Sequence, residues 1–518
     1  MSASTEKKLR QAAREAGTDK KTLAMEKEAR EKAKQKRRWT LGTIAVILLI
    51  AFIFFLNSNL LYKVTALTVA DEEYSASQMS YYYAEQYYYM ANQYGGYASL
   101  FGLDTSNGIN GLDDQTCAIS SEEMSWRDYF IQTAESTLVQ EKALRDYAAE
   151  NGIELDQDDL DAVEANFDGM DEYASSQGFA SVDNLFAANY GPGVNADLVR
   201  SAYRDSALAV KALTSYTDSL EFTQEEIDQT YADYNGEQDY FNYAYYYVIA
   251  ETTEVTGEDG ETTSEVSDEA LAAAEDTANA ILDAYLSGEE EDYVERLDTA
   301  VAAQVEGASA TQPGKTQGAS LGSYKDWMMD SARQAGDATV TADSSGSGYY
   351  VVVFLSRDNN DYNMAQVRHI LIKAVADEDG NYTDEAKAEA LAKAEEILAE
   401  YEAGDKTEES FAALAEEYSE DTGSNTNGGL YDAVTKGQMV DEFDKFCFEG
   451  HKAGDTAIVY GESGSYAGYH VMYYVGEGEN YADYIARSDL ENQAVSQWLT
   501  DITSGYTPVE GFGMRLVG

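Results

Sequence analysis

Residues 383–404 read Thr383-Asp-Glu-Ala-Lys-Ala-Glu-Ala-Leu-Ala-Lys-Ala-Glu-Glu-Ile-Leu-Ala-Glu-Tyr-Glu-Ala-Gly404, and residues 267–288 read Ser267-Asp-Glu-Ala-Leu-Ala-Ala-Ala-Glu-Asp-Thr-Ala-Asn-Ala-Ile-Leu-Asp-Ala-Tyr-Leu-Ser-Gly288. The two stretches align without gaps at a constant shift of 116 residues. Each begins with a Ser or Thr, which caps helix N-termini, and ends with a Gly, which is favoured just after a helix. The sequence therefore predicts an internal repeat that contains two copies of one helix.

Strand-like segments surround both predicted helices in the same order. One run precedes each helix, and a Gly-Asp run followed by a Gly-Tyr run comes after it. The matched segments are Tyr243–Ala250 with Gln366–Ala374, Gly336–Val340 with Gly454–Val459, and Gly348–Phe354 with Gly468–Tyr474. Alanine-rich helices alone could match without common ancestry, but this ordered series could not. The sequence thus predicts two consecutive β-α-β units of about 120 residues each.

The second unit contains a set of motifs that points to a known family. In chain order they are Val367-Arg-His-Ile-Leu-Ile372, Phe411-Ala-Ala-Leu-Ala-Glu-Glu-Tyr-Ser-Glu-Asp421, Asn427-Gly-Gly-Leu430, Lys436-Gly-Gln-Met-Val-Asp-Glu-Phe443 and Gly468-Tyr-His-Val471. Through these motifs, residues 362–478 resemble the parvulin-type peptidyl-prolyl cis/trans isomerases. Together with its flanking helical segments, the chain resembles the extracytoplasmic foldases of the PrsA and SurA type.

The resemblance implies an α+β isomerase domain over residues 362–478, without a cofactor and without a metal site. It implies a hydrogen-bonded polar cluster beside an apolar pocket for the proline ring. The residues that match the family's catalytic positions are His369, Asp421 and His470, and those that match its substrate-binding positions are Leu430, Gln438, Met439 and Phe443.

These residue types suit the isomerisation of X-Pro bonds. Rotation about the imide faces a barrier of ~18–20 kcal/mol, so uncatalysed exchange takes tens to hundreds of seconds. An enzyme has to hold the proline ring and favour the twisted amide over both planar forms. Thioether, aromatic and aliphatic side chains such as Met439, Phe443 and Leu430 can fit closely around the ring. A polar network near the twisted amide can stabilise its nitrogen and carbonyl.

Structural explanations compete with these roles. A buried pair of histidines could simply tie two strands together, and Met439 and Phe443 could be ordinary core residues. The chain has three histidines, and two of them stand at the two family positions. The third, His451, lies in a Gly-containing turn, where we expect it to be exposed. Cys447 is expected to be a small apolar core residue rather than a nucleophile.

The first unit lacks the corresponding chemistry. Tyr247 or Val248, depending on the alignment, stands in place of His369, and Tyr350 stands in place of His470. The Gly-Gln-Met segment is also missing. We therefore predict a degenerate parvulin-like domain over residues 240–358, which serves as a spacer or a peptide-binding surface without isomerase activity.

The N-terminal region predicts a membrane anchor. Residues 1–38 contain 13 Lys and Arg against 6 Asp and Glu, and no charge follows from Trp39 to Tyr62. These 24 residues would extend about 36 Å as a helix, enough for a ~30 Å hydrocarbon layer. Because basic flanks stay in the cytoplasm, we expect a cytoplasmic tail (1–38), a single transmembrane helix (39–62) and extracytoplasmic main domains. A cleavable signal peptide is the competing interpretation.

The remaining composition limits the class of protein. The chain has 518 residues, and 35 Lys and Arg against 95 Asp and Glu give a net charge of −60, which argues against nucleic-acid binding. Two cysteines exclude a disulfide-dense framework.

Residues 63–239 are predicted to form a helical, chaperone-like domain whose many tyrosines either line a peptide groove or pack in the core. Residues 479–518 are predicted to form a C-terminal helical segment. The resemblance to the foldases implies that this segment packs with the helical domain of residues 63–239.

The sequence therefore predicts a membrane-anchored isomerase and chaperone that assists the folding of secreted proteins. Its expected partners are unfolded or newly secreted polypeptides with X-Pro bonds, and the membrane through one N-terminal helix. The alternative is a non-catalytic, anchored holdase that retains the parvulin fold for peptide binding.

Overall fold

The computed structural model describes residues 3–16, 20–57, 59–256, 262–377, 380–464 and 466–518. The chain divides into two compact units. Unit 1 comprises Met1–Leu220 together with Ala494–Gly518, and unit 2 comprises Glu221–Gln493. Helices and sheets occur in both units, in agreement with the predicted α+β class.

The helices and strands are numbered in chain order. The helices are α1 (Ala3–Glu15), α2 (Lys20–Asn57), α3 (Ala76–Tyr94), α4 (Trp126–Asn151), α5 (Gln157–Ala165), α6 (Met170–Ser176), α7 (Val182–Tyr190), α8 (Ala196–Thr217), α9 (Gln224–Asp233), α10 (Asp268–Ser287), α11 (Tyr293–Gln304), α12 (Lys325–Met329), α13 (Asp384–Ala403), α14 (Glu408–Tyr418), α15 (Asp441–Phe448) and α16 (Tyr481–Thr503). The strands are β1 (Thr65–Val69), β2 (Glu72–Ser75), β3 (Tyr240–Ile249), β4 (Thr252–Thr256), β5 (Thr262–Val266), β6 (Thr316–Gln317), β7 (Ala338–Ala342), β8 (Gly348–Asp358), β9 (Asn363–Lys373), β10 (Leu430–Val434), β11 (Thr456–Ser463), β12 (Tyr466–Asn480) and β13 (Pro508–Glu510).

Unit 1 is built around the long helix α4. The helix begins after Ser125, whose hydroxyl accepts a hydrogen bond from the N–H of Asp128, and it ends at Gly152 in the left-handed conformation. Its buried face includes Trp126 and Phe130, whose rings lie 5.2 Å apart. Large buried rings of this kind contribute a major share of the hydrophobic stabilisation of a core.

The C-terminal segment of the chain completes unit 1. β13 pairs antiparallel with one edge of β1, and β2 pairs with the other edge, which gives the order β13-β1-β2. Arg127 on α4 donates hydrogen bonds to the backbone carbonyls of Met514 and Val517 at 3.4 and 2.9 Å. In the last part of α16, the ring of Trp498 stacks on that of Tyr216 at 3.9 Å.

Most of the tyrosines of α3 are packing residues. Tyr81, Tyr82, Tyr83 and Tyr87 are buried, whereas Tyr89 is 68% exposed. The four buried rings belong to the main hydrophobic cluster of unit 1. Tyr81 and Tyr82 also line a cavity, so the two interpretations of the tyrosine-rich segment are compatible there.

Unit 2 contains the predicted repeat as two similar sheets. The first has the strand order β6-β3-β8-β7 and the second has the order β10-β9-β12-β11, with antiparallel neighbours in both. α10 and α11 pack on one face of the first sheet, and α13 and α14 pack on the matching face of the second. β4 and β5 form a separate hairpin.

The repeated helix buries the same face in both copies. Spacings of three and four residues place side chains on one side of an α-helix. The buried residues are Ala274, Ala278, Ile281 and Tyr285 in α10, and Ala390, Ala394, Ile397 and Tyr401 in α13. Every pair differs by the 116 residues of the sequence repeat, so the repeat records a shared helix-to-sheet packing.

The predicted membrane anchor at residues 39–62 is contradicted by the structure. In the part of the chain that the structure describes, no helix is long and apolar enough to cross a membrane. α2 joins the charged segment before Trp39 to an apolar segment whose described side chains end at Leu49. Residues 50–58 of the predicted span lie outside the described side chains, and the predicted single-pass localisation is corrected together with the anchor.

The shared packing of the repeated helix makes a testable prediction. Ile281 on α10 is fully buried, so Ile281→Ala should lower the free energy of unfolding by about 2–5 kcal/mol through lost contacts and a residual cavity. Leu286→Ala on the same helix, where the side chain is 63% exposed, should change it by less than about 0.5 kcal/mol. Urea unfolding followed by hydrogen exchange in α10 measures both, and equal losses would contradict the assigned packing face.

Candidate functional site

Two buried histidines meet on one face of the second sheet of unit 2. His369 on β9 lies directly opposite Met472 on β12, and His470 is two residues from Met472. Because directly paired residues share a face and a strand alternates with period two, both imidazoles point to the same side. Their Nδ1 atoms are 3.0 Å apart, and the residues are 3% and 4% exposed.

Asp421 connects this pair to the segment after α14. Its Oδ2 lies 2.8 Å from Nε2 of His369 and accepts hydrogen bonds from the hydroxyls of Ser424 and Tyr431 at 2.6 and 3.0 Å. The backbone N–H of Gly423 donates to the other carboxylate oxygen at 3.1 Å. The bond from His369, together with those from Ser424 and Gly423, holds the pKa of Asp421 well below its usual range.

Tyr466 ends the network on the other side. Its hydroxyl lies 3.0 Å from Nε2 of His470. Burial, followed by the proximity of His369, lowers the pKa of His470 to about 3, so this ring is neutral at pH 7.

The geometry defines the proton positions when both rings are neutral. Nε2–H of His369 donates to ionised Asp421, which leaves its Nδ1 as an acceptor. Nδ1–H of His470 donates to that Nδ1, and Nε2 of His470 accepts from the hydroxyl of Tyr466. Tyr466, His470, His369 and Asp421 thus form one chain of hydrogen bonds that all run in the same direction.

An apolar cluster forms the wall beside the two rings. Phe443 on α15 is 2% exposed, and its ring meets those of His369 and His470 edge to face at 5.4 and 5.2 Å. Met439 is half-buried and packs on the same cluster. Leu430 on β10 is half-buried as well, but it lies directly opposite Arg368 and so points to the other face of the sheet from His369, outside this wall.

Gln438 does not join this group. Its side chain is exposed, and its Oε1 accepts the backbone N–H of Thr435 at 2.9 Å. The side chain therefore stabilises the turn before α15 instead of facing the histidines. The other predicted site residues, His369, Asp421, His470, Met439 and Phe443, lie around one another.

Sequence reasoning missed several residues of the network. Ser424, Tyr431 and Tyr466 supply hydroxyls that cannot be distinguished in the sequence from those of the other serines and tyrosines. Gly461 on β11 is also needed, because a Cβ there would lie 2.7 Å from Nε2 of His470 and 2.9 Å from Val440. A glycine on the strand beside that of a histidine, two positions along from the residue that pairs with it, is a signal that could have been used.

The matching face of the first sheet is built differently. Gly348 pairs with Ile249 as Gly468 pairs with Lys373, so the sheet register places Tyr245 at the position of His369. The predicted choice of Tyr247 or Val248 was therefore wrong by two or three residues.

Aromatic packing fills that face. Tyr350 stands in place of His470, and its ring contacts that of Tyr245 at 5.7 Å. The hydroxyls of Tyr243 and Tyr324 are 2.9 Å apart. Phenols replace both imidazoles at this face of the first sheet.

Comparison with known proteins shows which family this part of the chain is similar to. Residues 350–473 match the family model of the PPIC-type PPIase domain. The chain is 35% identical over 116 residues to the chaperone SurA of Pseudomonas fluorescens and 36% identical over 119 residues to that of Alkalilimnicola ehrlichii. Each match covers 22% of this chain, and the chain spans about a quarter of each relative, 24% and 25%.

Solved structures of PrsA foldases are also similar to this chain. The structure of PrsA from Bacillus subtilis is 15% identical, with a TM-score of 0.27, and the match covers 76% of this chain and 91% of that one. PrsA from Streptococcus pneumoniae is 11% identical, with a TM-score of 0.24, over 76% and 95% of the two chains. The family match and the SurA relatives therefore identify residues 350–473 as a PPIC-type, or parvulin-type, peptidyl-prolyl isomerase domain.

Proposed function

We propose that the protein is a peptidyl-prolyl cis/trans isomerase that also acts as a chaperone for unfolded polypeptides. The observation that carries the proposal is the buried chain of hydrogen bonds through His369, His470 and Asp421 next to the apolar wall of Phe443. The names of the SurA relatives, which are called chaperones, support the second part. The expected substrates are unfolded or newly secreted segments with X-Pro bonds.

The mechanism follows from the barrier to imide rotation. Amide resonance creates this barrier of ~18–20 kcal/mol, and no covalent bond to the substrate has to be formed or broken. The proline ring would pack against Met439 and Phe443, while the rest of the peptide turns. Because the wall excludes water, interactions that favour the twisted amide are stronger there than in solvent.

The hydrogen-bonded residues act by being fixed in place. Asp421 has its carboxylate satisfied by three side chains, so it stays ionised and holds His369 in one tautomer. His369 then holds His470. The rotating imide therefore meets oriented dipoles that need no reorganisation during the reaction.

The first half of unit 2 is proposed to be inactive. Tyr245 and Tyr350 cannot reproduce an imidazole pair with a carboxylate partner, and Tyr243 and Tyr324 bond to each other. We propose that this half serves as a spacer or as a peptide-binding surface.

Removing the charge of Asp421 should slow the reaction. Asp421→Asn keeps the shape of the side chain but loses the charged acceptor of His369, which should lower kcat/KM by about 10-fold to 100-fold, the size of a hydrogen bond to a charged group. Exchange of X-Pro tetrapeptides in the presence of the full chain measures the effect. Asp432→Asn, an exposed position on β10, is the matched control and should leave the rate unchanged.

The apolar wall should also be needed for activity. The double variant Met439→Ala and Phe443→Ala should reduce acceleration of the same exchange to near the uncatalysed rate, because the proline ring loses its contacts. Tyr245→Phe together with Tyr350→Phe should leave the rate unchanged, since both lie in the proposed inactive half. A wild-type chain that is folded but accelerates none of the peptides would favour the non-catalytic holdase instead.

Burial of His470 predicts a pH-dependent stability. An unfolded histidine takes up a proton near pH 6.5, whereas His470 in the folded chain does so only near its lowered pKa of about 3. Between these values the unfolded state binds more protons, so stability falls as the pH drops below about 6.5. At pH 5 the loss should be about 2 kcal/mol.

Unfolding curves at pH 7 and pH 5 measure this loss. His451→Gln should retain it, because that side chain is 30% exposed, while His470→Phe should remove it. Labelled histidine followed by NMR gives a direct check, since the chain has three histidines. A ring of His470 that titrates near pH 6.5 would contradict the proton arrangement.

A further inference from the structure

Unit 1 contains a cavity of about 700 Å³ between α3, α4, α5 and α8. Its volume lies within the range of ~300–1,000 Å³ that is common for binding sites. Apolar and aromatic groups such as Val163 and Tyr203 line it together with the carboxylate of Asp159, which is bonded to Lys211, and with two further carboxylates, Glu85 and Glu141. None of these residues belongs to the isomerase site.

Tyrosines form one wall of the cavity and leave a polar atom available. Tyr82 donates its hydroxyl to Oε2 of Glu141 at 2.8 Å. Tyr81 is 5% exposed, and its ring packs against that of Tyr190 at 5.1 Å. Its hydroxyl has no hydrogen-bond partner among the side chains that the structure describes, and it is not sealed from solvent.

The two carboxylates lie in an environment that opposes their charge. Burial raises the pKa of Glu85, and a hydrogen bond from Tyr190 offsets part of this rise. Burial also raises the pKa of Glu141, and the hydrogen bond from Tyr82 and the charge of Arg145 offset part of this rise. A bound cation would stabilise the ionised form of both groups.

The basic residues nearby are already engaged. Lys211 lines the cavity, but its Nζ bonds Asp156 and Asp159 at 2.8 and 2.5 Å. Arg145 bonds both carboxylate oxygens of Glu72 at 2.9 Å. Neither Lys211 nor Arg145 therefore forms an ion pair with Glu85 or Glu141.

We propose that this cavity binds a lysine or arginine side chain of an unfolded polypeptide. The aliphatic stem lies against the rings of Tyr81, Tyr82 and Tyr203, and the charged group faces Glu85 and Glu141. The hydroxyl of Tyr81 accepts one of its N–H groups. The proposal makes basic segments of unfolded polypeptides the substrate class of the proposed chaperone function, and it rests on that function.

Two further observations favour an organic cation. Within the described ranges, no group of three or more His, Cys, Asp or Glu could hold a metal ion. The net charge of −60 attracts basic segments to the protein over a long range. A basic side chain that extends from a peptide backbone matches both the aromatic lining and the carboxylates of the cavity.

Calorimetric titration of the full chain with two short, proline-free, unstructured peptides tests the proposal. One peptide carries a central lysine, and the other carries norleucine there, which keeps the stem and removes the charge. The lysine peptide should bind about tenfold more tightly, as expected for one charge-assisted contact. Equal affinities would overturn the proposal.

Variants locate the site. Glu85→Gln with Glu141→Gln should weaken the lysine peptide by about tenfold and leave the norleucine peptide unchanged. The control, Glu150→Gln with Glu172→Gln, removes the same charge at exposed positions outside the cavity and should bind as the wild type does. Preference for lysine that persists in the first variant would overturn the assignment to this cavity.

Tyr81→Phe supplies a second test if the glutamine variant does not fold. It removes only the available hydroxyl and should weaken the lysine peptide more than the norleucine peptide. Prolyl exchange by the wild-type chain is measured in parallel. Loss of the lysine preference with intact exchange would refute this site alone, whereas absent exchange with an intact preference would refute the isomerase alone.

Discussion

The hydrogen bond of 2.8 Å between the His369 ring and the Asp421 carboxylate is the interaction on which the site depends. It makes Nε2 of His369 a donor, which makes its Nδ1 an acceptor and determines the role of each nitrogen of His470. Two imidazoles this deeply buried would be costly if any nitrogen lacked a partner. The segment that carries Asp421 is therefore held to β9 by polar as well as apolar contacts, and the contact between His369 and His470 joins β9 to β12.

The duplication in unit 2 shows which parts of the fold can change. The face under α10 and α13 keeps the same small and aromatic residues at the same spacing in both copies. The opposite face has diverged, from imidazoles and Phe443 in one copy to packed tyrosines in the other. A scaffold retained on one side of a sheet thus leaves the other side free to carry different chemistry.

The sequence predicted the features that local pattern determines. The helix repeat, with its caps and its buried stripe, and the strand positions of His369 and His470 could be predicted because each depends on periodicity or on a family motif. Ser424, Tyr431 and Tyr466 could not, because a hydroxyl becomes part of the network only when the tertiary fold brings it near the histidines or Asp421. Gln438 belongs to a motif, but its side chain stabilises a turn. The correspondence of Tyr245 to His369 could be seen only from the register of the two sheets. The uncharged segment after Trp39 predicted a span that the structure does not support.

The pairing of β13 with β1 has a consequence for biosynthesis. Residues of unit 2 leave the ribosome before Val509, the partner of Thr68, is made. At about 5–20 residues per second, one edge of β1 stays unpaired for on the order of a minute. Unpaired edges are templates for wrong pairing, so unit 1 is the part of the molecule most exposed to misassembly while the chain is being synthesised. Unit 2, by contrast, is a continuous stretch of chain and can finish folding during translation.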